Sequence, residues 1–136
     1  MSLEQFFRGL ADRTRLRILN LLAVGELCGC DIQYVLDVSQ SAVSRHLNYL
    51  KRAGLVSDRR DGYRVFYRLI EEDGRSSALF LDYLRRALQQ DKTFAADLKA
   101  LKAAIRQGAC SISEARARPQ RRKPASPPGH AADHRM

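Results

Sequence analysis

Two cysteines separated by a single residue, Cys28 and Cys30, are the side chains of this 136-residue chain with the most distinctive chemistry. They lie in the segment ELCGCD, residues 26–31, with Gly29 between them. Trivalent arsenic and antimony are soft, thiophilic centres that bind two or three thiolates in a pyramid, whereas hard cations prefer carboxylates. The pair therefore predicts a site for an As(III) or Sb(III) ligand, and no other cofactor is expected.

The backbone between the two cysteines decides whether both sulfurs can reach one atom. On a continuous α-helix, side chains two residues apart point roughly 200° away from each other. We therefore expect the backbone at Gly29 to leave helical geometry, which glycine does at low cost. A helix would then begin near Asp31 as its N-cap, and ligand binding would reshape the start of that helix.

The remaining cysteine, Cys110, is a candidate third metal ligand. It follows Gly108 at the end of the last expected helix, so it could complete the site from its own chain or from a second subunit. The alternative is an idle thiol, because buried cysteines often pack simply as small apolar residues.

The segment after the cysteine pair predicts two helices joined by a tight turn. Apolar residues recur at helical spacing over residues 32–36. Ser39 is well suited to cap a second helix from 40 to about 52, and Gly54 is well suited to end it. Two helices joined by so short a turn form a helix-turn-helix, whose second helix enters the DNA major groove.

A β-hairpin is expected next, with strands at 55–60 and 63–70. The strands flank Asp61-Gly62, a pair favoured in two-residue type I′ turns because both central positions need positive φ. Arginines cluster at its tip, as a wing lying along DNA phosphates or in the minor groove would need. The predicted DNA-binding residues of helix and hairpin are Ser39, Gln40, Ser41, Ser44, Arg45, His46, Arg59, Arg60 and Arg64. Of these, His46 is expected to cap or pack at the DNA interface rather than bind metal.

The predicted fold is mainly α with one β-hairpin, a winged helix-turn-helix that dimerises through its terminal helices. Two short helices open the chain, and Asp12 can cap the second. From Ser76 to about Ile105, an amphipathic helix offers more apolar surface than a small domain needs internally, which predicts a homodimer. We expect one domain over residues 1–108, followed by a basic, proline-rich and disordered tail over residues 109–136.

Charge and hydropathy narrow the class of partner. The net charge is +9, and residues 115–136 contribute +5 of it through six Lys/Arg and one Asp. A basic excess favours a polyanionic partner, of which nucleic acid is the commonest. The sequence has no apolar run of about 18 residues, so we expect a cytoplasmic protein with no membrane partner.

Four segments together carry a family resemblance: ADRTRLRILNLL, ELCGCD, SQSAVSRHLNYLKRAGLV and RRDGYRVFYRL. Over roughly residues 3 to 105 the chain resembles the ArsR/SmtB family of bacterial metal-sensing repressors, and within it the arsenical-resistance repressors. The resemblance implies a homodimer that occupies double-stranded operator DNA while its sensor site is empty. It also implies release of the DNA when the inducer binds.

The chain departs from the family pattern at three places. Arsenite repressors of the best-known type have a third cysteine three residues after the second, where this chain has Gln33. Zinc-sensing relatives use Asp, His and Glu ligands on the last helix, but the histidines here are at 46, 130 and 134. The usual proline after Ala-Asp is replaced by Arg13, a change expected to be tolerated near a helix start.

Other ligands and mechanisms remain open for the cysteine pair. Cadmium or lead would need three or four thiolates, whereas a methylated trivalent arsenical needs only two. A redox sensor, in which Cys28 and Cys30 or a pair with Cys110 forms a disulfide, is a further alternative.

Two functions outside ligand sensing are also conceivable. A thiol-disulfide exchange enzyme usually carries its thiols at a strand-to-helix junction of an α/β fold, and this sequence predicts only one hairpin. An architectural DNA binder would have no use for the thiols. We therefore expect a repressor and not an enzyme.

Overall fold

The computed structural model describes residues 2–70 and 76–108 of the chain. Its elements are, in order, α1 (Leu3–Leu10), α2 (Arg13–Leu22), β1 (Leu27–Cys28), α3 (Gly29–Leu36), α4 (Gln40–Arg52), β2 (Val56–Asp61), β3 (Arg64–Leu69), α5 (Ser76–Leu88) and α6 (Lys92–Arg106). The predicted winged helix-turn-helix is confirmed, with α3 and α4 as its helix pair and β2–β3 as the wing.

The predicted ends of α4 are confirmed in detail. Ser39 accepts a hydrogen bond from the Ala42 N–H at 3.2 Å and so caps the helix. Gly54 has a φ of 74°, a conformation that favours glycine. The Gly54 N–H donates a hydrogen bond to the Lys51 carbonyl oxygen, and the Leu55 N–H donates one to the Leu50 carbonyl oxygen. These two bonds form a Schellman motif, which stops the helix before β2.

Helix α2 lies at the centre of the core. Asp12 caps it as predicted, accepting from the Arg15 N–H at 3.0 Å. Ile18 and Leu21 are fully buried, and Leu19 and Leu22 are nearly so. More than one face of α2 is therefore covered, because α1, α3, α4, α6 and β3 all pack against it.

The sheet has three strands in the order β1-β3-β2, all antiparallel, where the sequence predicted only the hairpin. The predicted type I′ turn at Asp61-Gly62 is wrong by one residue. Asp61 pairs with Arg64, so Gly62 and Tyr63 are the central residues of the turn. Only Gly62 of the two has positive φ, at 66°, which is the pattern of a type II′ turn with glycine first.

The single long C-terminal helix that the sequence predicts is also wrong. The helix is interrupted at residues 89–91. Asp91 then caps α6 by accepting a hydrogen bond from the Thr93 N–H at 2.8 Å. The expected glycine at the end of α6 is confirmed, because Gly108 has a φ of 71°. This break lets α6 turn back and pack on α2 and α3.

The α2–α6 seam buries the apolar face of α6 within its own chain, on Phe94, Leu101 and Ala104. Arg17 donates two hydrogen bonds to the carboxylate of Asp97, at 2.8 and 2.9 Å. Burial of the apolar face of α6 therefore needs no second subunit. The amphipathic sequence of α6 is thus not by itself a reason to expect a dimer.

Arg13, which replaces the proline usual in the family, also takes part in this seam. Its guanidinium lies 3.1 Å from the Asp91 carboxylate and 5.1 Å from the centre of the Phe94 ring. The substitution thus ties the start of α2 to the start of α6.

Candidate thiol site and nucleic-acid interface

Cys28 lies at the junction where β1 ends and α3 begins. Its φ and ψ are −68° and 150°, and its Sγ accepts a hydrogen bond from the Cys30 N–H at 3.2 Å. Cys28 is therefore the N-cap of α3, a position usually held by Ser, Thr, Asp or Asn. The prediction that Asp31 caps this helix is wrong, because the N-cap is Cys28, three residues earlier, and the helix begins at Gly29.

Gly29 is the first residue of α3 and keeps helical geometry, so the expected distortion at Gly29 is wrong as well. The extended backbone lies at Cys28 instead. A Cβ at position 29 would meet Tyr67 Cε2 at 3.6 Å and Leu47 Cδ1 at 3.9 Å, which are ordinary contacts. Because Cys28 is outside the helix, the opposed directions of two helical side chains do not apply to this pair.

The sulfur atoms of Cys28 and Cys30 meet, and the structure joins them as a disulfide with Cα atoms 5.2 Å apart. Cys28 is buried, at 4 % exposed, whereas Cys30 is exposed. In the reduced form, two sulfurs so placed can bond to one thiophilic atom, and the exposed Cys30 gives that atom access. The donor set therefore fits a trivalent metalloid.

Asp31 completes the local cluster, a role that the sequence reasoning missed. Its Oδ2 accepts from the Cys28 N–H at 3.0 Å, and its Oδ1 lies 4.0 Å from Cys30 Sγ. The carboxylate is buried, at 3 % exposed. The donor atoms of Cys28, Cys30 and Asp31 all lie within 4.8 Å of one another. The available signal was the acidic residue directly after the second cysteine.

Cys110, the third predicted ligand, and the predicted tail over residues 109–136 lie outside the described residues. Within the described part, the first turn of α3 packs directly against the apolar face of α4. Helices α3 and α4 pack together, and Leu47 Cδ1 lies 3.9 Å from where a Cβ at position 29 would stand. A change at the cysteines thus acts on a turn that touches the recognition helix α4.

The predicted DNA-reading face of α4 is only partly exposed. Gln40, Ser41 and Arg45 are exposed, as is the cap residue Ser39. Ser44, by contrast, is buried at 9 % exposed. The structure therefore brings the first turn and Arg45 to one outer surface and places Ser44 on the packed side of the helix.

His46 faces α2 rather than the outer surface of α4, and its side chain is 14 % exposed. Its Nδ1 lies 3.4 Å from Arg15 Nη1 and 3.9 Å from Asp12 Oδ1. Burial lowers the pKa of His46 below 6.5, with Arg15 and Arg45 adding to the effect and Asp12 opposing it. Since a guanidinium only donates, a hydrogen bond from Arg15 needs the tautomer in which Nδ1 accepts, and burial favours that neutral ring.

The three wing arginines have different surroundings. Arg59 donates to the Glu26 carboxylate through two nitrogens, at 2.9 and 2.6 Å, and this bond raises the pKa of Arg59. Arg60 and Arg64 are half-buried. Tyr63, which the sequence reasoning did not select, is 71 % exposed at the tip between them. An exposed aromatic residue beside basic ones is a further candidate DNA contact.

Comparison with known proteins identifies the family. Residues 12–58 match the family model described as bacterial regulatory protein, arsR family. The chain is 45% identical over 87 residues to the arsenical resistance operon repressor of Escherichia coli K12, covering 63% of this chain and 74% of that repressor. The chain belongs to the ArsR family. Its regulators are transcriptional repressors and not enzymes, so the exchange-enzyme alternative is rejected.

Other relatives of this ArsR-family chain match over shorter segments. It is 49% identical over 67 residues to the arsenic resistance transcriptional regulator ArsR1 of Pseudomonas putida, covering 48% of this chain and 52% of that regulator. It is 43% identical over 67 residues to the cadmium resistance regulatory protein CadC of Listeria innocua, covering 48% and 56%. The chain thus spans about half the length of these two relatives.

Solved structures agree on the fold. HlyU from Vibrio cholerae matches with a TM-score of 0.57 and 33% identity, over 64% of this chain and 91% of that chain. The transcriptional repressor BigR from Xylella fastidiosa matches with a TM-score of 0.56 over 65% and 85%, and at 24% identity it supports the fold alone. None of the helices in residues 2–70 and 76–108 has the length and apolar character needed to cross a bilayer.

Proposed function

We propose that this ArsR-family repressor binds operator DNA as a homodimer and releases it when As(III) or Sb(III) binds Cys28 and Cys30. The observation that carries the proposal is the meeting of the two sulfurs at the start of α3. The names of the arsenical relatives in Escherichia coli and Pseudomonas putida support the choice of ligand. We infer a cytoplasmic protein with no membrane partner.

Cys28 and Cys30 would hold the inducer. A trivalent metalloid supplies a pyramidal centre that bonds to both sulfurs, with two of its hydroxyl groups leaving as water. The sulfur of Cys28 also accepts the capping hydrogen bond from the Cys30 N–H. Drawing that sulfur into the site would weaken the cap of α3, and a lost N-cap costs about 1 kcal/mol of helix stability.

The first turn of α3 transmits this change to the DNA-reading surface. Helix α3 packs on α4, with Leu47 close to Gly29, so a shift of this turn would move the support of the recognition helix. Base or phosphate contacts would come from Gln40, Ser41 and Arg45, which share the outer surface of α4. Wing contacts would come from the tip of the hairpin, and we expect Arg60 and Arg64 to contribute there more than the ion-paired Arg59.

Two such helices would meet successive major-groove faces about 34 Å apart on a near-palindromic site. The exposed apolar residues suited to a dimer interface are Leu3 and Phe7 on α1, and Leu79 and Tyr83 on α5. We therefore keep the terminal helices as the proposed dimer contact, with α1 and α5 in place of a single long helix. The proposed domain remains residues 1–108, with 109–136 as a tail.

The test uses DNA that the reduced protein has first selected from a random pool. The measurement is release of that DNA from the protein. Arsenite or antimonite titrated into the complex should lower the fluorescence anisotropy of the labelled DNA for the wild-type protein. The same should hold for Cys110→Ser, the control that removes one thiol outside the Cys28–Cys30 pair. The Cys28→Ser/Cys30→Ser variant should bind the same DNA and keep it. Release from that double variant would contradict the proposal.

A redox-sensing repressor is the second candidate, and the disulfide between Cys28 and Cys30 favours it. Two thiols would form one disulfide, and hydrogen peroxide would take up two electrons and two protons to become two waters. Peroxide titrated into the same reduced complex separates the candidates. Release by peroxide at concentrations where arsenite has no effect would favour the redox function.

A further inference from the structure

We propose that Arg15 is a positioning residue for DNA binding: it fixes the direction of the recognition helix α4 relative to α1, and thereby the separation of the two α4 helices in the homodimer. This inference rests on the proposed function, because it takes operator binding by a homodimer as given. It assigns a role in DNA binding to a largely buried side chain of α2, which lies outside the proposed DNA-reading surface.

The guanidinium of Arg15 lies where α1, α2 and α4 meet, and the side chain is only 12 % exposed. Toward α1, Nε donates to the Gly9 carbonyl oxygen at 2.9 Å, and Nη2 donates to the Arg8 carbonyl oxygen at 2.8 Å. Both carbonyls belong to the last turn of α1, where C=O groups lack intrahelical partners and the helix dipole favours a cation. Arg15 therefore stabilises the end of α1 from a neighbouring helix.

Toward α4, the same guanidinium makes two further contacts. Its central carbon lies 4.1 Å from the centre of the Tyr49 ring, close enough for a cation to be attracted by an aromatic face. Its Nη1 lies 3.4 Å from His46 Nδ1 and 4.0 Å from Asp12 Oδ2. One planar group thus connects the carboxyl end of α1 with the middle of α4.

Gly9 gives α1 a second contact with α4, at the carboxyl end of that helix. A Cβ at Gly9 would lie 2.9 Å from Leu55 Cδ1 and 3.0 Å from Ala53 Cβ, so a larger residue would force its neighbours to shift. Ala53 is the C-cap of α4 and follows Tyr49 by about one helical turn. Contact at this end alone constrains the angle between α1 and α4 less than two contacts do, and Arg15 supplies the other one.

The angle between α1 and α4 matters because α1 is part of the proposed dimer contact. Leu3 and Phe7 of α1 are 69 % and 48 % exposed, whereas Arg45 is exposed on α4. A series of contacts therefore leads from the proposed subunit interface through the end of α1 and Arg15 to the DNA-reading helix. The two recognition helices must meet major-groove faces about 34 Å apart. A change of this angle acts twice on their separation, once in each subunit.

Arg15→Lys is the test variant, and Arg17→Lys is its matched control. Lysine keeps the positive charge, but its ammonium cannot reproduce the planar fork that bonds two carbonyl oxygens and stacks on a ring. Arg17 lies on the same helix and also donates two hydrogen bonds, but to Asp97 of α6, at 2.8 and 2.9 Å. The control should therefore lower the stability of the fold without loosening α4 against α1.

Affinity is measured by fluorescence anisotropy on reduced protein that urea unfolding shows to be folded. The probes are the near-palindromic DNA that the wild type selects and versions with one base pair added or removed between the half-sites. Each base pair changes the half-site separation by about 3.4 Å and their relative orientation by about 35°. Wild type and Arg17→Lys should lose at least about 10-fold affinity on the altered DNA, whereas Arg15→Lys should discriminate less than about 3-fold.

Three results would overturn the proposal. They are wild-type discrimination in Arg15→Lys, an equal loss of discrimination in Arg17→Lys, and a wild type that is indifferent to the spacing. Tyr49→Leu tests the same contact from the α4 side, because it removes the ring and leaves the bonds of Arg15 to α1 in place. It keeps the test decisive if Arg15→Lys does not fold.

A second measurement determines the helix separation without DNA. Spin labels are attached at Gln40→Cys, an exposed site at the start of α4, in a chain with Cys28, Cys30 and Cys110 all replaced by serine. Double electron–electron resonance should give a narrow distance distribution in this parent and a broader one after Arg15→Lys or Tyr49→Leu. An unchanged distribution in both variants would overturn the proposal.

Failure of the proposed function gives different results. A parent without dipolar coupling would be a monomer, which would overturn this inference together with the proposed homodimer. Release of DNA from Cys28→Ser/Cys30→Ser by arsenite would contradict the proposed function alone, because the spacing test contains no arsenite.

Discussion

Cys28 pairs with Phe66 across the antiparallel β1–β3 ladder, which places this cysteine in the same sheet as the wing. Phe66 pairs in turn with Arg59 of β2, whose guanidinium lies 4.6 Å from the Phe66 ring centre. Glu26, two residues before Cys28, binds that guanidinium. The thiol site is therefore connected to both elements of the proposed DNA-binding surface, to α4 through α3 and to the wing through the sheet.

The Glu26–Arg59 ion pair should limit the contribution of Arg59 to DNA binding. Arg59→Ala is expected to change the slope of log affinity against log salt little, whereas one lost phosphate contact changes it by about 1. Glu26→Gln frees the guanidinium and should steepen the slope by up to about 1 unit. Anisotropy titrations over a range of salt concentrations measure both. A slope reduced by one in Arg59→Ala would place Arg59 on a phosphate despite its partner.

Arg45 should be the main side chain of α4 in sequence-specific binding, because it is exposed beside the first turn of the helix. Arg45→Ala is expected to weaken specific binding by about 1–3 kcal/mol while the protein stays folded. Arg106→Ala, at an exposed site on α6, is the control for loss of one positive charge. Footprinting on the selected DNA measures the effect, and an unchanged Arg45→Ala footprint would remove the recognition-helix assignment.

Gly29→Ala should stabilise the protein, which reverses the expectation drawn from the sequence. Position 29 is helical and an added Cβ meets only ordinary contacts, so the variant gains from a less flexible unfolded chain. We expect about 0.4–1 kcal/mol more unfolding free energy in urea, with arsenite-dependent DNA release retained. Gly62→Ala is the contrasting control, since its positive φ makes the same change costly. Loss of release in Gly29→Ala would restore glycine as a hinge of the site.

The helix-turn-helix was predictable because local signals agree with its tertiary setting. Ser39 and Gly54 mark the ends of α4, and its apolar spacing matches the buried side chains Val43, Leu47 and Leu50. Short strand β1 was not predictable, since two residues carry no periodic signal and its pairing with β3 is a long-range contact.

The thiol site was predictable in composition but not in geometry. The cysteine spacing indicated thiol chemistry, but Cys28 is not a residue type that predicts an N-cap. The helix start was therefore assigned to Asp31, the better cap by residue type. The capping interaction of Asp31 with Cys28 is reciprocal, and only the folded structure shows that the Asp31 carboxylate lies within 4.8 Å of both sulfurs.

The Arg17–Asp97 pair should contribute measurably to the stability of the α6 attachment. Asp97 is 6 % exposed, and its bidentate bond raises the pKa of Arg17. Asp97→Asn is expected to lower the unfolding free energy by about 1.5–3 kcal/mol, the range for hydrogen bonds to charged groups. Arg86→Ala breaks the exposed Arg86–Asp82 pair and should cost under about 0.5 kcal/mol. Equal effects in urea unfolding would contradict a special role for the seam.

His46 should make the folded protein less stable as the pH falls below neutral. Burial lowers its folded-state pKa below the ordinary 6.5, so the unfolded chain binds more protons in that interval. The contribution of neutral His46 to stability is fully present above the pKa that His46 has in the unfolded chain. It is lost as the pH falls through the lower pKa that His46 has in the folded protein.

Urea unfolding of the wild type should therefore show stability falling as the pH drops from about 7 through the folded-state pKa of His46, and His46→Asn should flatten that decline. The asparagine Oδ1 can still accept from Arg15, which keeps the polar contact with α2 while removing the titration. His130→Asn/His134→Asn in the predicted tail is the matched control and should keep the wild-type slope. A wild-type slope in His46→Asn would mean that another group titrates, and it would remove the inference that the ring is neutral against Arg15.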